Sequence, residues 1–115
     1  MLFVNYPKCS TCKKAEKWLT DNNIEFVSRN IKDEHPTVDE LTKWYKQSNL
    51  PLKKFFNTSG LLYRSMQLKD KLPTMSEKEQ LKLLATDGML VKRPILVGEN
   101  FVFVGFKENE WSKLK

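Results

Sequence analysis

A chain of 115 residues with 20 Lys and Arg against 14 Asp and Glu, 40% hydrophobic residues, two cysteines and one histidine has room for a single globular domain. At this size folding buries ~60–70% of the surface of the unfolded chain, so a core forms without cysteine staples. The net charge of +6 is spread over lysines interleaved with Glu and Asp, and no run reaches the ~18 apolar residues of a membrane-crossing helix.

A solvated basic surface is thus the simplest reading, with no direct nucleic-acid contact and no membrane association expected. The N-terminus has neither a basic flank nor a small-residue cleavage site, so a cytoplasmic protein is expected.

Leu2 to Tyr6 is a short apolar run closed by Pro7, which fits a buried strand. A helix follows from Ser10, with Cys12, Ala15, Trp18 and Leu19 on one face, and Asp21-Asn22-Asn23 ends it. Ile24 to Asn30 carries β-formers, so the opening is strand, helix, strand, with a right-handed crossover expected.

Thr37 and Glu40 form a capping box ahead of a second helix whose apolar stripe is Leu41, Trp44 and Tyr45, stopped by Asn49-Leu50-Pro51. Leu52 to Leu68 reads as short helices broken near Gly60. A second capping box, Ser76 with Glu79, opens a helix through Ala85, for which Gly88 is the expected stop.

Ile95-Leu96-Val97 and Phe101 to Val104 then form a hairpin across a three-residue connection, Gly98-Glu99-Asn100, and Lys107 to Lys115 closes the chain as a helix. The order is that of an α/β domain with a thioredoxin-like fold, its core at 1–34 and 88–115, and an all-helical insertion at about 35–87.

The strongest chemical signal is Cys9-Ser10-Thr11-Cys12, a Cys-x-x-Cys at the turn from the first strand into the first helix. A thiolate at a helix N-terminus is stabilised by unpaired backbone N–H groups and the positive end of the dipole. Lys8, Lys13 and Lys14 are expected to add positive charge nearby. Cys9 is therefore the candidate nucleophile and Cys12, one turn on, the candidate resolving thiol, with Ser10 and Thr11 facing the substrate.

Zinc, a structural disulfide and two inert core thiols are the competing uses. Zinc wants about four ligands, while two cysteines and His35 are all the chain offers as thiolate and imidazole. A disulfide across so short a loop stabilises little, so redox chemistry is favoured and no bound metal or cofactor is expected. His35 reads as a loop residue.

A second signal is Arg93-Pro94 before a strand, where thioredoxin-like folds commonly place a cis proline opposite the reactive cysteine. The planar fork of Arg93 suits an oxyanion or the carboxylates of glutathione. Lys53 and Lys54 are candidate anion contacts, although solvated lysines are the simpler reading.

These residues, with Leu52 to Gly60, Asp87 to Ile95 and Val104 to Glu108, resemble the glutaredoxin-like arsenate reductase family, including its Spx- and MgsR-like members. The resemblance runs essentially end to end. It implies that the cysteine matching Cys9 attacks the oxyanion, while a glutathione, glutaredoxin or thioredoxin thiol donor acts as co-substrate and partner. It also implies an oxyanion held by three arginines.

Of these, Arg93 matches one, Lys53 or Lys54 stands at the insertion position, and the third falls near Gly105-Phe106. The Spx-like branch implies an alternative: a redox-sensing transcriptional regulator that binds the α-subunit of RNA polymerase.

Overall fold

The computed structural model describes all residues, 1–115. Its elements are β1 (Leu2–Asn5), α1 (Ser10–Asp21), β2 (Val27–Asn30), α2 (Val38–Ser48), α3 (Leu61–Ser65), α4 (Leu68–Lys71), α5 (Glu77–Leu84), β3 (Ile95–Val97), β4 (Val102–Val104) and α6 (Glu108–Trp111). Short 3₁₀ turns lie at Leu52–Phe55, Leu72–Thr74, Gly88–Leu90 and Ser112–Leu114.

The four strands form one mixed sheet in the order β2-β1-β3-β4. β1 and β2 run parallel with Leu2 opposite Val27, as a strand-helix-strand unit requires, while β3 is antiparallel to both β1 and β4. This is an α/β architecture of the thioredoxin-like kind. No helix is long and apolar enough to cross a membrane.

Because strand side chains alternate, neighbouring residues serve different cores. Phe3 of β1 and Leu96 of β3 turn to a small cluster with Ala15 and Leu19 of α1 and Trp111 of α6. Val4 and Ile95, with Val102 and Val104, turn to the opposite face. There they join a 17-residue cluster that includes Leu41 and Trp44 of α2, Phe55, Phe56, Leu68, and Leu81 and Leu84 of α5.

Both capping boxes form: the Thr37 hydroxyl accepts from Glu40 N at 3.1 Å and the Ser76 hydroxyl from Glu79 N at 3.2 Å. Asn49 takes the left-handed conformation that ends α2.

Three expectations need correction. β2 begins at Val27, not Ile24, because Ile24 and Phe26 turn inward against the small cluster. α5 is capped at Ala85, and Gly88 instead opens a 3₁₀ turn capped by Asp87. Gly88 is there for clearance, since a Cβ on it would stand 1.9 Å from the Ile31 carbonyl oxygen. In the hairpin the strands end at Val97 and Val102, and a Gly98 N to Phe101 O bond of 2.9 Å tightens the turn around Glu99 and Asn100.

The insertion is fastened to the segment that leads into β3. Phe56 bridges Val91, Asn57 N donates to Leu90 O at 2.8 Å, and Lys92 N donates to Phe55 O at 2.8 Å. This short ladder brings the 52–55 turn, with Lys53 and Lys54, alongside the Lys92-Arg93-Pro94 segment.

Candidate active site

Cys9 is the N-cap of α1, in an extended conformation, and its Sγ accepts a hydrogen bond from Cys12 N at 3.3 Å. Its own N–H donates to Tyr6 O at 3.1 Å, which fixes the turn leaving β1. The sulfur thus lies over the open first turn of α1, where backbone donors are unpaired. Both thiols are free; Cys9 is half-buried and Cys12 is buried.

Opposing influences act on the two sulfurs. Burial pushes the Cys9 thiol up, but the Cys12 thiol and backbone N–H and the charge of Arg93 outweigh it, so Cys9 lies below the ordinary thiol value. Cys12 goes the other way: burial, reinforced by the neighbouring Cys9, pushes it up to about 12. An outer thiol that gives up its proton more readily than the inner one behind it is the division that nucleophile and resolving roles call for.

Lys8, Lys13 and Lys14 are all exposed, and the charge that lowers the Cys9 value is that of Arg93. The sequence placed the cations in the right segment but could not show that a non-local arginine outranks them.

The Arg93–Pro94 peptide is cis. Arg93 lies over the Tyr6 ring, with the guanidinium carbon 5.2 Å from its centroid. Its Nε and Nη1 are buried and have no hydrogen-bond partner. Two buried donors without acceptors on a cation beside a thiol mark a place where an anionic acceptor belongs. Pro94 is buried, and its carbonyl accepts from Gly105 N at 2.8 Å, a residue whose φ of +80° favours glycine.

Arg93 forms part of the wall of a cavity of about 600 Å³. Thr11 contributes from α1, Lys53 and Lys54 from the 52–55 turn, and Lys92 and Lys107 from the segments flanking β3 and β4. Leu50, Pro51, Phe56, Val104 and Phe106 supply its apolar surface, and Glu110 its one carboxylate.

Of the residues singled out in the sequence, Thr11, Lys53, Lys54 and Arg93 meet here, while Cys9, Cys12 and Pro94 adjoin this wall in the chain without lining it. Lys8, Ser10 and Lys13 lie exposed outside the wall. Lys92, Lys107 and Tyr6 were not singled out; their signal was proximity to Arg93, to Gly105 and to Cys9, which spacing alone does not rank. His35 is exposed in the loop before α2, and no group of three or more His, Cys, Asp and Glu side chains is placed to hold a metal.

The arrangement can present a thiolate to an electrophilic sulfur or oxyanion beside Arg93, and it can attract a ligand of high negative charge.

Comparison with known proteins agrees with this geometry. The ArsC family model matches residues 4–114. The uncharacterized protein YusI of Bacillus subtilis is 50% identical over 98% of this chain and 96% of its own length. The regulatory protein MgsR of the same organism is 30% identical over 99% of this chain and 89% of its own.

Among solved structures, an ArsC family related protein of Bacteroides fragilis superposes with a TM-score of 0.97 at 61% identity, covering 99% of this chain and 96% of that one. A protein of Streptococcus mutans described as a possible arsenate reductase gives 0.86 at 46% identity, covering 92% and 90%.

Proposed function

This chain belongs to the ArsC family, and from that premise we propose that it is a thiol-disulfide oxidoreductase with Cys9 as nucleophile and Cys12 as resolving thiol. One observation carries the reading: Cys9 caps α1 beside an Arg93 whose buried Nε and Nη1 are unpaired, with a second thiol one turn behind it.

In the first step the Cys9 thiolate attacks one sulfur of a disulfide, forming a mixed disulfide and releasing the other half as a thiolate. In the second, Cys12 loses its proton and attacks the Cys9 sulfur, closing the Cys9–Cys12 disulfide and releasing the first half. Capping Cys9 removes its negative charge, one of the influences that hold the Cys12 proton, so the first step prepares the second. A thiol donor of the glutathione, glutaredoxin or thioredoxin type then returns two electrons.

The test is a trap. Cys12→Ser incubated with glutathione disulfide should accumulate one glutathione on Cys9, read by intact mass, while the unaltered protein passes through the adduct to the internal disulfide. A Cys9 that stays unmodified in both sinks the proposal. Arsenate-dependent NADPH consumption, coupled through glutathione, glutaredoxin, thioredoxin and their reductases with Cys9→Ser as blank, then asks whether the oxyanion is also a substrate.

A second reading is favoured by the MgsR relative: the pair serves as the redox sensor of a transcriptional regulator. Capture of the carboxy-terminal domain of the RNA polymerase α chain by only one redox state would support it, and no capture in either state would remove it.

A further inference from the structure

The cavity beside Arg93 has dimensions and charge that one small oxyanion does not explain. Its volume of about 600 Å³ is in the range of sites that enclose organic ligands, ~300–1,000 Å³. Five cations, Lys53, Lys54, Lys92, Arg93 and Lys107, face one carboxylate, Glu110, a surplus of four positive charges (5 − 1).

Four of the five are lysines, which neutralise phosphates as point charges without demanding the two-pronged geometry of a carboxylate clamp. The one arginine carries two buried N–H groups with no acceptor. Thr11, which lies between Cys9 and Cys12 at the start of α1, shares this wall with Arg93, so the wall begins beside the cysteine pair.

We propose that this cavity is a binding site for a low-molecular-weight disulfide or thiol that carries several phosphate charges. In that arrangement the Arg93 fork takes the anionic group nearest the sulfur, and the lysines at the outer wall take the rest. The inference rests on the thiol-disulfide reading and names the substrate class of that same site. In the chemical step a bond forms from Cys9 to one sulfur, the disulfide bond breaks, and the other half leaves as a thiolate, with no outside oxidant.

A concave site of this volume accepts a small ligand whole, which favours it over the flat face of a protein partner. A surplus of positive charge at the entrance also raises the encounter rate of polyanions, by about tenfold or more at low salt.

Two measurements on the full chain separate this inference from the reading beneath it. In the first, the rate of adduct formation on Cys9 is compared for coenzyme A disulfide, a polyphosphorylated probe, and for uncharged hydroxyethyl disulfide. Coenzyme A disulfide is expected to react at least about tenfold faster at low ionic strength. That advantage should shrink as salt screens the site and fall at least fivefold in Lys53→Ala/Lys54→Ala/Lys107→Ala. Equal rates for the two disulfides overturn the inference while leaving the oxidoreductase reading intact.

In the second, coenzyme A binding to Cys9→Ser is titrated calorimetrically, which reads the site with no thiol chemistry. Saturable binding that weakens in the triple lysine variant supports the site even if Cys9 proves unreactive. Absence of binding, or binding indifferent to the lysines, overturns it.

Discussion

On one face of the sheet, five buried residues, Phe3, Ala15, Leu19, Leu96 and Trp111, hold α1 in place. Trp111 is the hub, with ring centroids 6.4 Å from Phe3, 5.9 Å from Trp18, 6.4 Å from Phe103 and 4.8 Å from Phe106. On the other face, 17 buried residues share the load of the insertion, and no single ring joins them all. Chemistry sits on the helix with the small core, and two of the four wall lysines, Lys53 and Lys54, are presented by the insertion with the large one. The cavity opens where the two meet. The reactive thiol is thereby supported by a small cluster and the Lys53-Lys54 turn by a large one, so damage to the two faces should have different consequences.

The strongest way to break this comparison is Trp111→Ala. Truncating a fully buried tryptophan costs ~3–5 kcal/mol, and here α1 loses its main support, so denaturant unfolding should shift accordingly. Leu84→Ala, equally buried on the large face, should fall towards the lower end of the ~2–5 kcal/mol range, because its many neighbours can close in. A Leu84 variant that loses more than the Trp111 variant would refute the hub.

The next effect sharpens the difference within α1 itself. Cys12 shares the buried stripe with Ala15 and Leu19, whereas Cys9 is the half-buried N-cap of the helix. With Cys12 pushed up to about 12 and Cys9 below its ordinary value, iodoacetamide at neutral pH should modify Cys9 at least about a hundredfold faster. Intact mass of Cys9→Ser and Cys12→Ser under the same treatment checks it, and comparable rates would mean that the two thiols share one environment.

A smaller effect probes what holds Arg93. The guanidinium rests over the Tyr6 ring, and a cation over an aromatic face gains ~0.5–1 kcal/mol when partly exposed. Tyr6→Leu should therefore move the midpoint of the Cys9 alkylation profile to higher pH and slow alkylation at neutral pH by about two- to fivefold. Tyr6→Phe keeps the ring and should restore the profile. Identical profiles for Leu and Phe would show that the ring does not position the guanidinium.

What the sequence made legible was local. Both capping boxes, the cysteine at the start of α1, the parallel β1-β2 pair and the antiparallel β3-β4 pair follow from spacings of a few residues, and all formed. What it hid was contact between distant segments. Gly88 looked like a helix stop because its clash partner, the Ile31 carbonyl, lies 57 positions away (88 − 31). Lys92 and Lys107 looked like ordinary surface charges until the Phe56–Val91 bridge and the hairpin drew them to one wall. Arg93, 84 positions from Cys9 (93 − 9), lowers its value and lines the cavity, whereas Lys8 and Lys13, its neighbours in sequence, lie exposed outside the wall.

The last and smallest effect concerns the tie between the two faces. Arg29 on β2 grips Glu40 in the first turn of α2 through Nη1 to Oε2 at 2.6 Å and Nη2 to Oε1 at 2.9 Å. The same carboxylate accepts from Thr37 N at 3.1 Å, so one group fastens the sheet edge and caps the insertion's first helix. The Arg29 hydrogen bonds hold the Glu40 carboxyl at about 2, against an ordinary 4.5.

A carboxylate whose folded value is depressed adds stability that is full above its unfolded value. That stability declines as pH falls from about 4.5 towards 2 and is gone below it. Because a third of the Glu40 side chain is exposed, solvent screening limits the contribution to about 1 kcal/mol. Glu40→Gln should therefore be about that much less stable than the unaltered chain at pH 7, and the gap should narrow steadily between pH 4.5 and 2. A gap unchanged across that window would show that the pair's contribution is geometric, through the cap, and not ionic.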